Sequence, residues 1–271
     1  MKRVFSAVVF LPFFWLIVKR VGPLYDALIT AAALLALFEL YRMTEIRARR
    51  DLRLTGAAVT LLYLISFAWP GWPIHDAILL GLFAFPVAAL RRGGDLRGVL
   101  ADVGAAFFGA TYIGVLFGYL LGLRALHDPP KGDETGSDLV FLLFFIVWSS
   151  DTAAYFVGRA LGRRPLAPRI SPRKTVEGAL GGLAGALLAA FVARAWFIAR
   201  LLPRDCLILG LSLGLVGIAG DLVESMFKRG AGVKDSARLV PGHGGILDRV
   251  DSLLYAGPVL YYYYLFAMRG P

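Results

Sequence analysis

Apolar runs of about 20 residues recur along the whole chain, and each is long enough as a helix to cross the hydrocarbon core of a bilayer. Inside a bilayer every backbone N–H and C=O must find a partner within the protein, so only helices and closed barrels can span it. The runs are continuous rather than alternating, which points to an all-α, polytopic integral membrane protein. About nine spans emerge, at 4–18, 22–41, 54–69, 74–90, 99–122, 138–158, 176–196, 205–227 and 249–267. A hydrophobic content of 58% and a mean hydropathy of +0.68 agree with this, since soluble domains sit near about 45–50%. No stretch is polar for long enough to fold alone, so a single membrane domain is expected over 1–271. Within it, 1–98 supplies helices of mainly structural role and 138–267 the catalytic helices and cytoplasmic loops. The opening MKRVFSAVVFLPFFWLIVKR lacks a small-x-small cleavage site and ends in Lys19-Arg20, so it reads as a retained first helix.

The formal net charge is +10. In a membrane protein, basic loops flank the helices and meet anionic headgroups, and no nucleic-acid motif accompanies the charge, so nucleic acid is not an expected partner. With nine spans, 21 of the 29 Lys and Arg residues fall on the side of the N-terminus and 8 on the other. The richer side is the cytoplasmic one, which places the N-terminus inside and the C-terminus outside, in the cell's inner (plasma) membrane. Trp15, Trp69, Trp72, Trp196 and Tyr261 to Tyr264 fall near the outer ends of their spans, as an interfacial belt would. The outer loop HDPPKGDETGSD (127–138) reads as a connector, and His75 and His127 as solvated surface residues. Cys206 is the sole cysteine, which excludes an intrachain disulfide and a Cys-based metal site.

Charges within spans are costly and tend to mark function. Asp151 lies mid-span in VWSSDTAAYF, Asp221 and Glu224 near the cytoplasmic end of the eighth span, and Asp248 and Asp251 at the start of the ninth. Each of the last two pairs is spaced by three, so each shares a helix face. Two crossing helices can then aim several carboxylates at one point. Oxygen-only donors suit a hard cation such as Mg²⁺. The cytoplasmic loops carry the opposite sign. GRALGRRPLAPRISPRKTVEG brings Ser171, Arg173 and Lys174 to a helix start, and Lys228, Arg229 and Lys234 flank Gly230 and Gly232. The turn PGHGG (241–245) contains His243, Gly244 and Gly245, where the backbone can approach a ligand closely. Carboxylates for a metal and cations for phosphate suggest phosphoryl or nucleotidyl transfer. The P-loop pattern is absent, so this is not a P-loop enzyme.

These residues resemble a known family. Ser225-Met-Phe-Lys-Arg, Lys234-Asp235-Ser236 and Pro241-Gly-His-Gly-Gly-Ile-Leu-Asp-Arg-Val-Asp251 are similar to the signature of phosphatidate cytidylyltransferases, the CDP-diacylglycerol synthases, with no departure in this segment. Trp148-Ser-Ser-Asp-Thr and Ser171-Pro-Arg-Lys-Thr-Val-Glu-Gly look like a second block of that family. The likeness is detailed over about 145–258 and hydropathic before that.

The resemblance implies a Mg²⁺-dependent, dimeric membrane enzyme that converts CTP and phosphatidate to CDP-diacylglycerol and pyrophosphate, with its site open to cytosol and bilayer. Phosphatidate brings its own nucleophile, a phosphomonoester with a second pKa of about 6. The difficulty is repulsion between two anions, which metal ions and Lys/Arg relieve. Asp221 and Asp248 are the first candidates for metal ligands, with Asp151 and Asp251 beside them, for one ion or two. Lys228, Arg229, Lys234 and His243 are assigned to the chemistry. Ser171, Arg173, Lys174, Gly244, Gly245 and Arg249 are assigned to substrate binding. His243 either contacts phosphate or braces the glycine turn, and Asp235 and Glu224 either join the acids or hold cations in place. The alternatives are a related CTP-dependent enzyme acting on another membrane lipid, such as a polyprenol kinase or CDP-archaeol synthase, and an anion transporter. A transporter predicts inverted repeats, and none is evident.

Overall fold

The computed structural model describes residues 16–19, 22–44, 46, 49–69, 71–91, 96–126, 135–234, 236 and 245–268. Eight helices run through them: α1 (Gly22–Arg42), α2 (Arg50–Ala68), α3 (Ile74–Ala89), α4 (Val99–Ala125), α5 (Thr135–Leu161), α6 (Val176–Trp196), α7 (Pro203–Gly230) and α8 (Leu247–Tyr263), the last followed by a π-helical turn at Tyr264–Met268. All except α3 and α8 are long and apolar enough to cross a membrane, and α3 is apolar but shorter. The chain is a multi-pass helical membrane protein. The spans expected from 22–41 through 249–267 each coincide with one of these helices to within about four residues. The expected span 4–18 falls outside the described residues except at 16–18.

Small residues let the helices approach closely, which is what drives association where lipid is as apolar as the side chains. Two interlocked small-x-x-x-small pairs, Gly178 with Gly182 and Gly181 with Gly185, face α5 from α6. A Cβ on Gly185 would stand 2.5 Å from Ala153 Cβ, and one on Gly181 would stand 2.5 Å from Val157 Cβ. On α4, glycines receive aromatic rings from α1 and α2. A Cβ on Gly109 would meet Tyr41 at 2.7 Å and one on Gly114 would meet Tyr63 at 2.8 Å. These tyrosines also spend their hydroxyls inside the protein. Tyr41 donates to Ala106 O at 2.6 Å and Tyr25 to Leu120 O at 3.1 Å, while Tyr63 shares a 3.0 Å bond with Thr111. These three hydroxyls are thus partnered within the protein rather than presented to lipid.

The loop between α5 and α6 holds a feature that periodicity did not announce. Pro165–Ala167 (β1) and Ser171–Thr175 (β2) form an antiparallel hairpin, with Pro165 opposite Thr175 and Ala167 opposite Ser171. A lone two-stranded hairpin is marginal in water, and this one is held by its neighbours. Glu177 in the first turn of α6 accepts the Arg163 and Arg164 N–H groups at 2.9 and 3.2 Å. Arg229, at the end of α7, donates from Nε to Ile170 O at 3.2 Å. Thr175 then caps α6 by accepting the Gly178 N–H at 3.1 Å. The hairpin is therefore fixed against the first turn of α6 and the last turn of α7, and Lys174 goes with it.

Candidate active site

Three helices and the hairpin converge on one point. On α7, Asp221, Glu224 and Lys228 are spaced by three and four, so one face carries all three. On α8, Asp248 and Asp251 lie one turn apart. What allows these faces to meet is Gly220. A Cβ there would stand 2.6 Å from Asp251 O and 2.9 Å from Tyr255 Cδ2, so any larger residue would push the helices apart where the acids sit. Asp221, Glu224 and Asp251 each offer a carboxylate oxygen to one place, and those oxygens all lie within 4.8 Å of one another. Glu224 is 1% exposed and Asp251 8%. Asp151 of α5 joins electrostatically, its nearest charged neighbours being Asp221 and Lys174.

Two ammonium groups stand against these acids. Lys174 Nζ is 2.5 Å from Asp221 Oδ2. Lys228 Nζ is 2.5 Å from Asp248 Oδ1 and also pairs with Glu224 Oε2. Asp248 Oδ2 is taken from the other side, accepting Ser236 N at 3.2 Å, Ser236 Oγ at 2.9 Å and Gly245 N at 2.9 Å. Among the described residues, five carboxylates therefore face two lysines, Lys228 buried and Lys174 partly so. Both Glu224 carboxylate oxygens are buried; Oε2 is paired with Lys228, and among the described residues Oε1 has no hydrogen-bond partner. Buried charge left uncompensated is expensive. A cation held by Asp221, Glu224 and Asp251 would offset this surplus of negative charge, and the all-oxygen donor set fits a hard divalent ion. The buried cluster has the composition and spacing of a metal site.

A cavity of about 1240 Å³ opens onto this cluster. Asp151, Lys174, Asp221, Asp248, Arg249 and Asp251 line its charged part, and Arg173 also reaches it. Phe145 and Trp148 line it one and two turns back along α5, and Leu188 and Val192 toward the far end of α6. The cavity is thus ionic where α5, the hairpin, α7 and α8 meet and apolar along α5 and α6.

The four carboxylates singled out from the sequence as metal ligands, Asp151, Asp221, Asp248 and Asp251, all border this cavity. Of the expected substrate-binding residues, Arg173, Lys174 and Arg249 border it too. Ser171 sits in the hairpin opposite Ala167. The Gly245 N–H, expected to lie near a ligand, goes to Asp248. Lys228 is buried between Asp248 and Glu224. Arg229 spends Nε on Ile170 O and Nη1 on Val233 O, at 3.2 and 3.1 Å. Lys234 is exposed just past α7, where Gly232 takes a left-handed φ of 69° to turn the chain. His243, Gly244 and Asp235 lie outside the described residues. Sequence reasoning passed over Glu39, a fully buried carboxylate of α1 that reaches the first turn of α8. The signal was present: an acid inside an apolar run, ALLALFEL.

Comparison with known proteins gives the same direction. The sequence model of a family described as the cytidylyltransferase family matches residues 1–267. The chain is 38% identical to a phosphatidate cytidylyltransferase of Bacillus subtilis, over 96% of this chain and 94% of the relative. It is 32% identical to a phosphatidate cytidylyltransferase of Synechocystis, over 97% and 95%. A phosphatidate cytidylyltransferase of Haemophilus influenzae is 46% identical over 52% of this chain and 49% of the relative.

Proposed function

We propose, starting from the fact that this chain belongs to the cytidylyltransferase family, that it is a nucleotidyltransferase which moves the cytidylyl group of CTP onto phosphatidate. The products are CDP-diacylglycerol and pyrophosphate, an intermediate of phospholipid biosynthesis and its by-product. The observation that carries the lipid half of this reading is the two-sided cavity. Its ionic part suits phosphate groups, and its walls at Phe145, Trp148, Leu188 and Val192 suit the start of acyl chains.

A phosphatidate phosphate oxygen attacks the α-phosphorus of CTP. The bond from that phosphorus to the α–β bridging oxygen breaks, and the electron pair leaves on pyrophosphate. The nucleophile is already largely deprotonated at neutral pH, with a second pKa of about 6, so the protein need not supply a strong base. Its tasks are alignment and charge neutralisation. Lys174, Arg173 and Arg249 stand on the cavity and act on phosphate oxygens. Lys228, held by Asp248 and Glu224, adds a fixed positive charge behind Asp248. Asp221, Glu224 and Asp251 hold Mg²⁺, with Asp248 and Asp151 completing the acidic wall for one ion or a second. When bound, the ion offsets phosphate charge on both substrates and on the leaving group. Arg229, Lys234 and His243 are assigned with Lys228 to the chemistry, and Ser171, Gly244 and Gly245 to substrate binding.

The site faces the cytoplasm, where CTP is found, in the inner (plasma) membrane. The N-terminal side carries the excess of Lys and Arg, which supports this orientation. The enzyme acts as a homodimer. Residues 1–98 serve mainly as scaffold, and the chemistry belongs to 138–267.

The decisive experiment incubates the purified protein in mixed micelles with labelled CTP, phosphatidate and Mg²⁺. Pyrophosphate release that requires phosphatidate, with label appearing in lipid, is the expected result. Release without lipid, or label in a polyprenol instead, overturns the assignment.

A further inference from the structure

Glu39 lies in the last turn of α1, 0% exposed, in a helix packed against α4 rather than in any loop of the site. A carboxylate so placed needs hydrogen bonds to offset its lost hydration. Glu39 takes them from two segments about 200 residues away in sequence. Oε1 accepts the Ile246 N–H at 2.8 Å, and Oε2 accepts the Leu247 N–H at 2.9 Å. Oε2 is also 2.9 Å from Ser236 Oγ.

These contacts do two jobs. Ile246 occupies the N-cap of α8 but caps nothing with its own side chain. Glu39 caps that helix from another element, satisfying donors the first turn cannot satisfy itself. Ser236 then extends the contact inward. Its Oγ is also 2.9 Å from Asp248 Oδ2, and the Asp248 Oδ1 atom is 2.5 Å from Lys228 Nζ. A line of contacts therefore runs Glu39, Ser236, Asp248, Lys228, with the single Ser236 hydroxyl proton shared between the two carboxylates, and it reaches the cavity at Asp248. Gly245 fits this line closely. A Cβ there would collide with both Ser236 Oγ and the Glu39 carboxylate.

We infer that Glu39 is a positioning residue for nucleotidyl transfer: by capping α8 and bridging through Ser236, it fixes Asp248 on the cavity wall, together with the Lys228 that pairs with it. Glu39 touches neither cavity nor substrate, so it acts only through these neighbours. The inference rests on the proposed cytidylyl transfer.

The test compares wild type, Glu39→Gln, Ser236→Ala and the double variant, as full-length protein in mixed micelles. Glu39→Gln keeps the shape but presents an amide N–H₂ where an N–H or hydroxyl now donates. Ser236→Ala cuts the bridge while leaving the α8 cap intact. The expected result is a fall in kcat of about tenfold or more for each single variant, with KM for CTP within about twofold of wild type. The double variant falls no more than about twofold further, because both act on one line. Glu39→Asp, which keeps the charge, recovers part of the loss. Wild-type kcat in both single variants, multiplied losses in the double variant, or a loss in kcat that follows a lower melting temperature in Ser236→Ala would each overturn the inference. If wild type itself fails to turn over CTP with phosphatidate, it is the functional reading that falls.

Discussion

Lys174 and Asp221 meet with Nζ 2.5 Å from Oδ2, although one sits on the hairpin and the other inside α7. The pair joins a short hairpin to a helix long and apolar enough to cross the membrane. Both residues also border the cavity. If the pair were only a brace, exchanging its charges would preserve it. Because each partner also has its own substrate or metal to serve, the exchange Lys174→Asp with Asp221→Lys is expected to leave no turnover. Lys174→Gln alone is expected to lower kcat/KM for CTP by about 10- to 100-fold, the factor given by about 1.5–3 kcal/mol for a hydrogen bond to a charged group. Substantial activity in the exchanged protein would reduce the pair to a brace.

Asp251 and Glu224 are buried beside Asp221 with their oxygens aimed at one place. Removing one ligand charge from such a set weakens a hard cation strongly. Asp251→Asn and Glu224→Gln are each expected to weaken Mn²⁺ binding by about tenfold or more, read from the free-ion electron paramagnetic resonance signal without any turnover. The Mg²⁺ concentration for half-maximal rate should rise in parallel. Unchanged Mn²⁺ affinity in both variants would remove these two residues from the metal site.

Asp248 holds Lys228 through one oxygen and accepts Ser236 and Gly245 through the other. Asp248→Asn keeps an acceptor for the backbone but removes the charge that fixes the ammonium. Lys228 retains Glu224, so no lysine is stranded without a partner. The expected outcome is at least about a 100-fold loss of turnover in a protein that still inserts and elutes as one species. Near-normal turnover in a folded Asp248→Asn protein would sink the assignment of this residue to the chemistry.

How much of this was legible beforehand follows from how local each signal is. Helix positions were, because about 20 apolar residues in a row admit little else. The carboxylate pairs on α7 and α8 were, because a spacing of three is a property of the helix itself. That the two pairs face each other depends on Gly220, and its role as a point of close approach shows only once α8 is in place. Glu224 was read as a brace or an additional acid, and the structure gives it both parts: it pairs with Lys228 and also offers a carboxylate oxygen beside those of Asp221 and Asp251. The hairpin escaped because Pro165, Pro168 and Pro172 look like loop residues, and its order comes from Glu177 and Arg229 outside it. Glu39 escaped because its partners at 246 and 247 lie 207 and 208 residues away. No window along the chain contains both ends of that contact.

The same logic makes the α5–α6 seam a test of how the fold supports the site. Gly185 faces α5 so closely that a Cβ would stand 2.5 Å from Ala153 Cβ and 3.1 Å from Ser149 O. Within two residues of these contacts α5 carries Asp151, and at its other end α6 begins from the hairpin that carries Lys174. Gly185→Leu inserts a side chain where there is no space, and overpacking of this kind costs about 1–3 kcal/mol or more. The helices must separate, taking Asp151 away from Asp221 and Lys174. The expected result is a lower melting temperature in detergent together with a large loss of turnover, although no charged residue has changed. Leu180→Ala on the same helix is the control, because Leu180 is 62% exposed and points away from α5. It should alter stability by no more than about 0.5 kcal/mol and leave kcat near wild type. A Gly185→Leu protein with unchanged melting and turnover would mean that the seam does not position Asp151.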